Sequence, residues 1–507
     1  MKFTSTRNTA LSVPSAQAIV QGISEEGGLF VPESFPQLSL EEILEFAKHS
    51  YPECAARVMG LYLTDFSREE LLQMAKEAYA PFDSEQVVPL ARLCENESVL
   101  ELFHGPTLAF KDVALQMLPR LMAASIQKTG AKHKVLILVA TSGDTGKAAL
   151  EGFQDVPGTG ILVFFPQDGV SDMQKLQMLT QRGENVAVCA VQGNFDDAQT
   201  GVKRLFASGE VKERLAREGW QLSSANSINW GRLVPQIVYY FWAYSCLVKE
   251  GGAKPGEAVD FVVPTGNFGD ILAGYYAKRM GLPVGRLVCA SNDNKVLSDF
   301  FATGVYDRRR EFYKTESPSM DILISSNLER LLFEASGRNA EVVAGWMASL
   351  AKEGVYDVGG EVLAALRADF DAGWSDGAHA RAALARAFAQ HRYVMDTHTA
   401  VAQAVAEEKA SGVPFVVLST ASPYKFPAAV LKALCPQEDH PDAFEAAGAL
   451  AALQAAAAGK TPEACLPEKI RELSSLPVRH DAVCAPNGMD EALYAALGRI
   501  AGKKATN

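Results

Sequence analysis

A chain of 507 residues exceeds what one compact hydrophobic core usually organises, so we expect two or three domains. Hydrophobic residues make up 48% and charged residues 21%, as in ordinary globular enzymes, and the net charge of -12 argues against non-specific nucleic-acid binding. No run approaches the ~18 to 20 apolar residues of a membrane span. The eight cysteines are scattered without a C-x-x-C pair, which predicts reduced thiols in a cytoplasmic protein.

Residues 1–88 are predicted to form a mainly helical N-terminal domain. Two capping boxes open helices there, Ser39 with Glu42 and Ser67 with Glu70. A turn with two glycines at 27–28 leads into a short extended piece that ends in proline. The domain is predicted to end where this helical pattern gives way to alternating strands and helices.

From residue 89 to 440 the chain is predicted to alternate buried strands with amphipathic helices. The predicted strands share continuous Val, Ile and Leu runs, at 134–140, 160–165, 186–191, 258–263, 287–290 and 415–418. Such strands separated by helices predict an α/β fold with parallel sheets covered by helices. Ligands of these sheets lie beyond the carboxyl ends of the strands, so the loops after strands are the functional candidates. Residues 441–507, rich in alanine and then polar, are predicted to be a small helical C-terminal extension.

The segment 102–112, L-F-H-G-P-T-L-A-F-K-D, places Lys111 among apolar residues at a predicted helix start. A lysine in that setting loses ammonium solvation, so its pKa falls and the neutral amine becomes available for carbonyl chemistry. An enzyme needs such an amine to hold pyridoxal phosphate as a Schiff base. The alternative is a lysine that extends into solvent, with Asp112 as an ordinary first-turn charge.

Two loops after predicted strands are rich in glycine and polar residues. The first, T-S-G-D-T-G-K at 141–147, departs from the phosphate-binding loop of nucleotide-binding proteins at Thr141 and after its lysine, at Ala148. Its N–H groups and hydroxyls at a helix start still suit a carboxylate or phosphate. The second, T-G-N-F-G-D at 265–270, combines two glycines with a helix start, which suits a cofactor phosphate but not a dinucleotide. For the first loop, a plain turn between strand and helix is the alternative.

Two further segments gather polar side chains. S-T-A-S-P-Y-K-F at 419–426 places hydroxyls at a strand end, where they can bond a heteroaromatic nitrogen, with a polar turn as the alternative. N-S-I-N-W-G-R at 226–232 ends in Arg232, whose guanidinium matches phosphate oxygens, with a polar helix N-terminus as the alternative. Asp396 and His398 are predicted to be structural and to cap the helix after them.

In this order, the motifs resemble threonine synthases, a family of fold type II pyridoxal-phosphate enzymes. The resemblance rests on F-H-G-P-T-L-A-F-K-D, S-G-D-T-G, N-S-I-N-W-G-R, G-N-F-G-D and the loop 419–426, and it extends through the opening residues over about the first 430. It implies a fold type II α/β enzyme in which Lys111 is the catalytic Schiff-base lysine and pyridoxal 5'-phosphate is the cofactor. It implies no metal.

The resemblance also implies binding residues. The cofactor would be surrounded at its phosphate by Gly266, Asn267, Phe268 and Asp270, and met at its ring nitrogen by Thr420. The substrate would be bound at its carboxylate by Ser142, Gly143, Asp144 and Thr145, and at its phosphate by Asn226, Ser227 and Arg232, with Lys147 as a further candidate. The chain departs from the pattern at Asp144, where many fold type II enzymes have Asn, at Ser422, where His is frequent, and at Tyr424, where a smaller residue is frequent.

The activity implied is the final step of threonine biosynthesis, in which a carbon–oxygen lyase converts O-phospho-L-homoserine and water into L-threonine and phosphate. One alternative is another fold type II lyase or dehydratase that acts on serine or threonine. A second is a threonine-synthase-like protein that binds pyridoxal phosphate or a phosphorylated ligand without turnover. No nucleic-acid or membrane partner is expected, and the sequence is compatible with a monomer or a homodimer.

Overall fold

The computed structural model describes residues 1–141, 143–167 and 170–502, and its N-terminal part combines a small sheet with helices. The elements in chain order are β1 (Lys2–Ser5), β2 (Asn8–Pro14), α1 (Ser15–Gln21), β3 (Phe30–Pro32), α2 (Leu40–Leu44), α3 (Tyr51–Tyr62) and α4 (Arg68–Tyr79). β1 pairs antiparallel with both β2 and β3. Both predicted capping boxes are present, at the starts of α2 and α4. The sequence does not predict β2, because this strand is largely exposed and lacks an apolar run.

The first half of the predicted α/β domain runs from β4 to a long buried helix. Its elements are β4 (Leu90–Arg92), β5 (Glu97–Glu101), α5 (Lys111–Leu115), α6 (Leu118–Thr129), β6 (Lys134–Ala140), α7 (Asp144–Phe153), β7 (Thr159–Pro166), α8 (Asp172–Leu179), β8 (Val186–Val191), α9 (Phe195–Ala207), α10 (Gly209–Arg217), β9 (Trp220–Ser223) and α11 (Trp230–Lys249). Three of the predicted strands are confirmed as β6, β7 and β8. Helix α11 is apolar on every face and is therefore buried along nearly its whole length.

The second half of the domain continues the alternation of strands and helices. Its elements are β10 (Val259–Pro264), α12 (Gly269–Arg279), β11 (Val284–Ser291), α13 (Val296–Thr303), β12 (Val305–Asp307), α14 (Leu328–Ala335), α15 (Ala340–Lys352), β13 (Val355–Asp357), α16 (Gly359–Arg367), β14 (Phe370–Trp374), α17 (Gly377–His391), α18 (Thr397–Lys409), β15 (Phe415–Ser419) and α19 (Pro427–Leu434). The other three predicted strands are confirmed as β10, β11 and β15. The sequence does not predict β14, because Asp371 and Gly373 interrupt its apolar residues.

The strands form two large sheets, as an α/β fold with parallel sheets predicts. One has the order β14-β11-β10-β15-β5-β4, with β4 antiparallel to β5 and the other neighbours parallel. The other contains β8, β7, β6 and β9 in that order, all parallel. The chain begins the first sheet with β4 and β5, builds the second sheet, and then returns through α11 to complete the first. The site loops therefore come from both sheets.

The C-terminal extension adds a strand as well as helices. Its elements are α20 (Ala443–Ala458), α21 (Pro462–Cys465), α22 (Glu468–Arg471), β16 (Ala482–Cys484) and α23 (Met489–Ile500). β16 pairs in parallel with β8 and so extends the second sheet. Helix α23 packs against the same sheet, because Met489 and Leu493 share a hydrophobic core with Leu136 and Leu162.

Among the residues that the structure describes, no helix combines the length and the apolar content that crossing a membrane requires. All eight cysteines lie in the described ranges and are free, which agrees with their prediction as reduced thiols. The domain boundaries at residues 88 and 440 stay predictions.

Candidate active site

Five segments that follow strands bring the predicted site residues together. They come after β5, β6, β9, β10 and β15, and they carry, in that order, Lys111, Asp144, Arg232, Asn267 and Thr420. The loops at the carboxyl ends of parallel strands meet at one edge of a sheet, which is where ligands of such folds bind. The site is therefore built from both large sheets.

Lys111 begins helix α5, as predicted, and its side chain is 12% exposed. Its Nζ lies 3.4 Å from Ser319 Oγ, 3.9 Å from Asp144 Oδ2 and 5.8 Å from the centroid of the Phe110 ring. Burial lowers the pKa of Lys111 to about 8, although the charge of Asp144 acts in the opposite direction. The amine faces the interior of the site, so the alternative of a lysine extended into solvent is wrong.

The loop before Lys111 is held by Asp112, which is fully buried and not a surface charge. The Asp112 carboxylate accepts hydrogen bonds from the Thr107 N–H at 2.8 Å and the Thr107 hydroxyl at 2.7 Å. A Cβ at Gly105 would lie 2.5 Å from Asp112 Oδ2, so this turn requires glycine. Burial raises the pKa of Asp112 to about 6, against the effect of these hydrogen bonds. The closely packed loop sets the direction of Lys111.

The loop 419–426 lies directly beside the Lys111 loop. The Phe110 N–H donates to the Thr420 carbonyl at 2.8 Å, and the Ser422 N–H donates to the Leu108 carbonyl at 3.0 Å. Within the described part of the chain, the hydroxyl of the buried Thr420 makes no hydrogen bond. It is free to meet a ligand atom, and its role toward the ring nitrogen stays a prediction.

Asp144 is buried at the start of α7, where two lysines share its carboxylate. Its Oδ1 lies 2.7 Å from Lys425 Nζ and accepts a hydrogen bond from Gln174 Nε2 at 2.9 Å. Its Oδ2 accepts a hydrogen bond from the Ser319 hydroxyl at 3.2 Å. Burial acts to raise the pKa of Asp144, but the charges of Lys425 and Lys111 hold it well below its usual range. The Asp144 side chain therefore serves these lysines and is not a donor to a substrate carboxylate.

The other described residues of the loop after β6 have backbone N–H groups that can bind a carboxylate. The Gly143 N–H donates to Thr141 Oγ1 at 3.0 Å, so the N–H groups of Asp144 and Thr145 are the ones left for a carboxylate. The prediction for Ser142 concerns a residue outside the described ranges. The carboxylate-binding role of this loop stays a prediction, with its backbone as the donor.

Two other candidate groups have structural contacts. Lys147 forms an ion pair with Glu151 at 2.7 Å along α7, so its charge is already compensated. Asp396 caps α18, as predicted, and lies 2.8 Å from His398 Nδ1. The other ring nitrogen of His398 accepts a hydrogen bond from the Ser319 N–H at 3.1 Å. His398 therefore positions the segment that contacts Lys111.

The predicted phosphate loop leads into α12 through Phe268, whose φ of 63° lies in the left-handed region. In the described chain no side chain caps this helix, so its first N–H groups are free for an anion. A Cβ at Gly266 would lie 2.8 Å from the Ser319 carbonyl oxygen, so glycine permits this contact. The Asn267 side chain is exposed. The backbone carbonyl of Asn267 accepts hydrogen bonds from the side chain and the N–H of Asn327.

The side chain of Asp270 points away from this loop. Its Oδ1 accepts hydrogen bonds from the hydroxyls of Tyr239 at 2.5 Å and Tyr240 at 3.0 Å. Burial raises the pKa of Asp270 to about 7, and the tyrosine hydrogen bonds act against this shift. The carboxyl group joins α12 to α11, which leaves the backbone N–H of Asp270 for a phosphate.

Arg232 is a buried cation at the start of α11. Its Nη1 donates to the Ala225 carbonyl at 2.9 Å, and its Nε has no hydrogen-bond partner in the described chain. Burial lowers the pKa of Arg232 to about 10, and none of the carboxylates in the described ranges pairs with it. The side chains of Asn226 and Ser227 likewise make no hydrogen bond there, and Ser227 lies next to Gly269 of α12. This arrangement suits an anionic ligand.

The sequence motifs did not indicate that Ser319, Gln174 and Lys425 contribute to the site. Ser319 lies in a short 3-10 helix, Pro318–Met320, between β12 and α14, where no motif marks it. Lys425 lies inside the quoted loop 419–426, but its contact with Asp144 joins residues far apart in the sequence. The one available signal was a lysine among apolar neighbours directly after a buried strand.

His104, in the Lys111 motif, forms a charged cluster with two carboxylates. Its Nδ1 lies 2.6 Å from Asp83 Oδ1 and its Nε2 lies 2.8 Å from Glu101 Oε2. Burial acts to lower the pKa of His104, but these hydrogen bonds raise it to about 9. Lys469 of the C-terminal extension donates to the Gly105 carbonyl at 3.0 Å. The cluster and the extension therefore hold the same loop.

The variant His104→Gln should be less stable than the wild type at neutral pH but not at strongly alkaline pH. Because the pKa rises from 6.5 to about 9 on folding, this stabilisation is complete below pH 6.5 and is lost as the pH rises through 9. We expect a loss of about 2 kcal/mol near neutrality, since the side chain is partly screened by solvent. Urea unfolding at about pH 6, 7.5 and 9.5 measures it. An equal loss at all three pH values would contradict the assignment.

The site residues fit pyridoxal phosphate. The buried amine of Lys111 can hold its aldehyde, since its lowered pKa provides a neutral fraction. The uncapped start of α12 can bind the phosphate. The free hydroxyl of Thr420 can meet the ring nitrogen. These assignments stay predictions at the level of single residues.

Comparison with known proteins gives matches along almost the whole chain. Family models match it at residues 2–79 (threonine synthase N terminus), 98–414 (pyridoxal-phosphate dependent enzyme) and 399–488 (threonine synthase, C-terminal). The threonine synthase of Pseudomonas aeruginosa is 42% identical over 437 residues, which cover 85% of this chain and 90% of that protein.

Solved structures show the same relationship. The crystal structure of PLP-bound threonine synthase from Brucella melitensis has a TM-score of 0.85 at 39% identity, covering 98% of this chain and 99% of that chain. The threonine synthase from yeast has a TM-score of 0.86 at 32% identity, with the same coverage. These findings confirm the predicted fold class, the cofactor and the enzyme class, a pyridoxal-phosphate-dependent lyase. The chain belongs to the threonine synthase family.

Proposed function

We propose that this enzyme converts O-phospho-L-homoserine and water into L-threonine and phosphate, the final step of threonine biosynthesis. The observation that favours this substrate is Arg232, which is buried without a paired carboxylate in the described chain. An unpaired buried cation is costly, and a substrate phosphate would compensate it. Serine and threonine carry no such group, so this observation favours the phosphorylated substrate over a dehydratase reaction.

Lys111 is the residue that handles protons in this proposal. When bound, pyridoxal phosphate supplies an aldehyde for the substrate amine and a ring that stabilises negative charge at the neighbouring carbons. Lys111, with a pKa of about 8, moves protons at Cα and Cβ of the substrate. The bond between Cγ and the phosphate oxygen breaks, with the electron pair leaving on phosphate. Cα and Cβ each lose one proton, and Cγ and Cα each gain one. The hydroxyl of water adds at Cβ, and its remaining proton goes to the released phosphate. One phosphate is released for each threonine formed.

The other residues bind and orient the substrate. Arg232, with the free side chains of Asn226 and Ser227, would hold the substrate phosphate and stabilise the charge that develops as it leaves. The N–H groups of Asp144 and Thr145 at the start of α7 would bind the substrate carboxylate. The two anion sites fix the substrate at both ends.

The test of this proposal is a product assay with the purified holoenzyme. O-phospho-L-homoserine should yield equal amounts of phosphate and threonine. Formation of a 2-oxo acid and ammonia from serine or threonine, without threonine formation from the phosphorylated substrate, would instead identify a dehydratase. Binding of both ligands with no product would identify a non-catalytic binder.

Oxygen labelling separates this reaction from simple phosphate-ester hydrolysis. In water enriched in ¹⁸O, the label should enter the hydroxyl group of threonine, because water adds at carbon. Label found in phosphate on first release would show cleavage of the phosphorus–oxygen bond and contradict the proposal. Mass spectrometry of both products gives the answer in one experiment.

The proposal includes a cytoplasmic location and either a monomer or a homodimer. The eight free cysteines fit a reducing compartment. Light scattering after gel filtration would give the mass in solution and decide between one chain and two.

A further inference from the structure

A second lysine is buried at the active site. The side chain of Lys425 has no exposed surface, and its Nζ lies 2.7 Å from Asp144 Oδ1. The same Nζ donates to the Thr107 carbonyl at 3.0 Å and to Gln177 Oε1 at 3.3 Å. It therefore joins the loop before Lys111, helix α8 and the carboxylate that faces Lys111.

Asp144 has opposite consequences for Lys111 depending on whether its charge is compensated. An isolated carboxylate 3.9 Å from Lys111 Nζ would favour the ammonium form, which cannot accept a proton or attack an aldehyde. Lys425 is closer to the carboxylate than Lys111, at 2.7 Å, and is more deeply buried. The shorter ion pair can therefore compensate Asp144 and leave Lys111 free to lose its proton.

The charged groups around Lys111 come from several elements. Asp144 of α7 and Asp112 of α5 raise its pKa, whereas Arg232 of α11 and Lys425 lower it. Burial, the largest effect, lowers it as well. The two cations thus balance the two carboxylates, and Lys425 is the one that directly contacts a carboxylate.

Ser319 contributes an uncharged contact to the same group. Its hydroxyl is 3.4 Å from Lys111 Nζ and donates to Asp144 Oδ2 at 3.2 Å. Its N–H donates a hydrogen bond to His398 Nε2 at 3.1 Å. Ser319 therefore adds no charge near Lys111. The charge that Lys111 meets from Asp144 depends on the ion pair between Asp144 and Lys425.

We propose that Lys425 is a positioning residue that acts through Asp144: it holds this carboxylate in a compensated pair and thereby keeps Lys111 available as the neutral amine. This role of Lys425 rests on the proposed function, because it prepares Lys111 for that reaction. The proton affinity of Lys111 can nevertheless be measured without turnover, so a failure to form threonine would leave this test unaffected.

The experiment measures the reactivity of Lys111 against pH in the full-length chain freed of pyridoxal phosphate. Brief labelling with acetic anhydride acetylates neutral amines, and mass spectrometry of the Lys111 peptide gives a titration midpoint. Lys425→Met should raise this midpoint by about one pH unit, a tenfold lower reactivity below the midpoint. Asp144→Asn should lower it by about one pH unit, because an unpaired cation then faces Lys111. Lys425→Arg, which keeps the charge, should restore most of the wild-type value.

The matched control is Lys147→Met on the same helix as Asp144. Lys147 pairs with Glu151 and not with Asp144, so its removal should leave the Lys111 midpoint unchanged. A midpoint that stays within about 0.3 pH units of the wild type in Lys425→Met or in Asp144→Asn would overturn the proposal.

The double variant Asp144→Asn/Lys425→Met decides the question if a single variant fails to fold, because it buries no unpaired charge. A compensated pair in the wild type predicts a double-variant midpoint within about 0.5 pH units of the wild type. If Lys425 had no effect on the Lys111 midpoint, the double variant would show the same drop as Asp144→Asn, which would also overturn the proposal.

Discussion

Replacement of Lys111 with alanine should abolish threonine formation and eliminate the covalent attachment of pyridoxal phosphate. The loss should reach about 10⁴-fold in kcat, because one side chain both holds the cofactor aldehyde and moves the substrate protons. The absorbance band of the bound cofactor should be lost, and borohydride treatment should label no peptide. In the wild type the same treatment should label the peptide that contains Lys111. Absorbance spectra, peptide mapping and the product assay together measure this effect.

The control for this variant is Lys128→Met. Lys128 pairs with Glu70 at 2.9 Å, away from the site loops, so its replacement should leave both cofactor attachment and turnover unchanged. The Lys111→Ala chain should remain folded, since it loses a partly desolvated cation and not a packed apolar group. A Lys111→Ala protein that still produced threonine would exclude the proposed role of this amine.

Replacement of Arg232 with glutamine should weaken catalysis and at the same time leave the fold intact or stabilise it. We expect kcat/KM for O-phospho-L-homoserine to fall about 100-fold or more, because the guanidinium holds the phosphate while charge develops on it. The fold gains no ion pair from this cation, since none of the described carboxylates pairs with it. Removing an unpaired buried charge should keep the unfolding temperature equal or raise it.

Phosphate binding separates the two effects of this substitution. Inorganic phosphate should raise the unfolding temperature of the wild type and inhibit its turnover, because a ligand stabilises the state that binds it. In Arg232→Gln both effects should be much smaller, and Arg232→Lys should recover only part, since it lacks the planar fork. Arg204→Gln is the control, since Arg204 donates to the Pro486 carbonyl and lies outside the site. An Arg232→Gln variant with unchanged phosphate inhibition would contradict this assignment.

Local patterns in the sequence were sufficient to predict six strands of the α/β domain. Continuous apolar runs mark β6 to β8, β10, β11 and β15, because strands covered on both faces bury every side chain. The capping box of Ser171 with Gln174 likewise marks the start of α8. Short strands such as β9 and β16 carry no such run, and only pairing with a neighbour defines them.

For the site residues, too, some properties can be predicted from neighbouring residues and others depend on contacts between distant segments. The apolar setting of Lys111 is visible in its own segment and predicts a desolvated amine, but only the structure excluded a lysine extended into solvent. The compensation of Asp144 by Lys425 and the absence of a carboxylate paired with Arg232 in the described chain depend on which distant side chains come close. Electrostatic interactions depend on distance in space, and a sequence lists only distance along the chain.

For this protein, the sequence alone therefore determined the alternation of buried strands with helices and the family resemblance, because each depends on consecutive residues. Only the tertiary structure decided that the strands divide between two sheets, that the C-terminal extension adds β16 to one of them, and that Ser319 and Lys425 reach the site. Each of these depends on contacts between segments far apart in the chain, which packing and hydrogen bonding select and local pattern does not record.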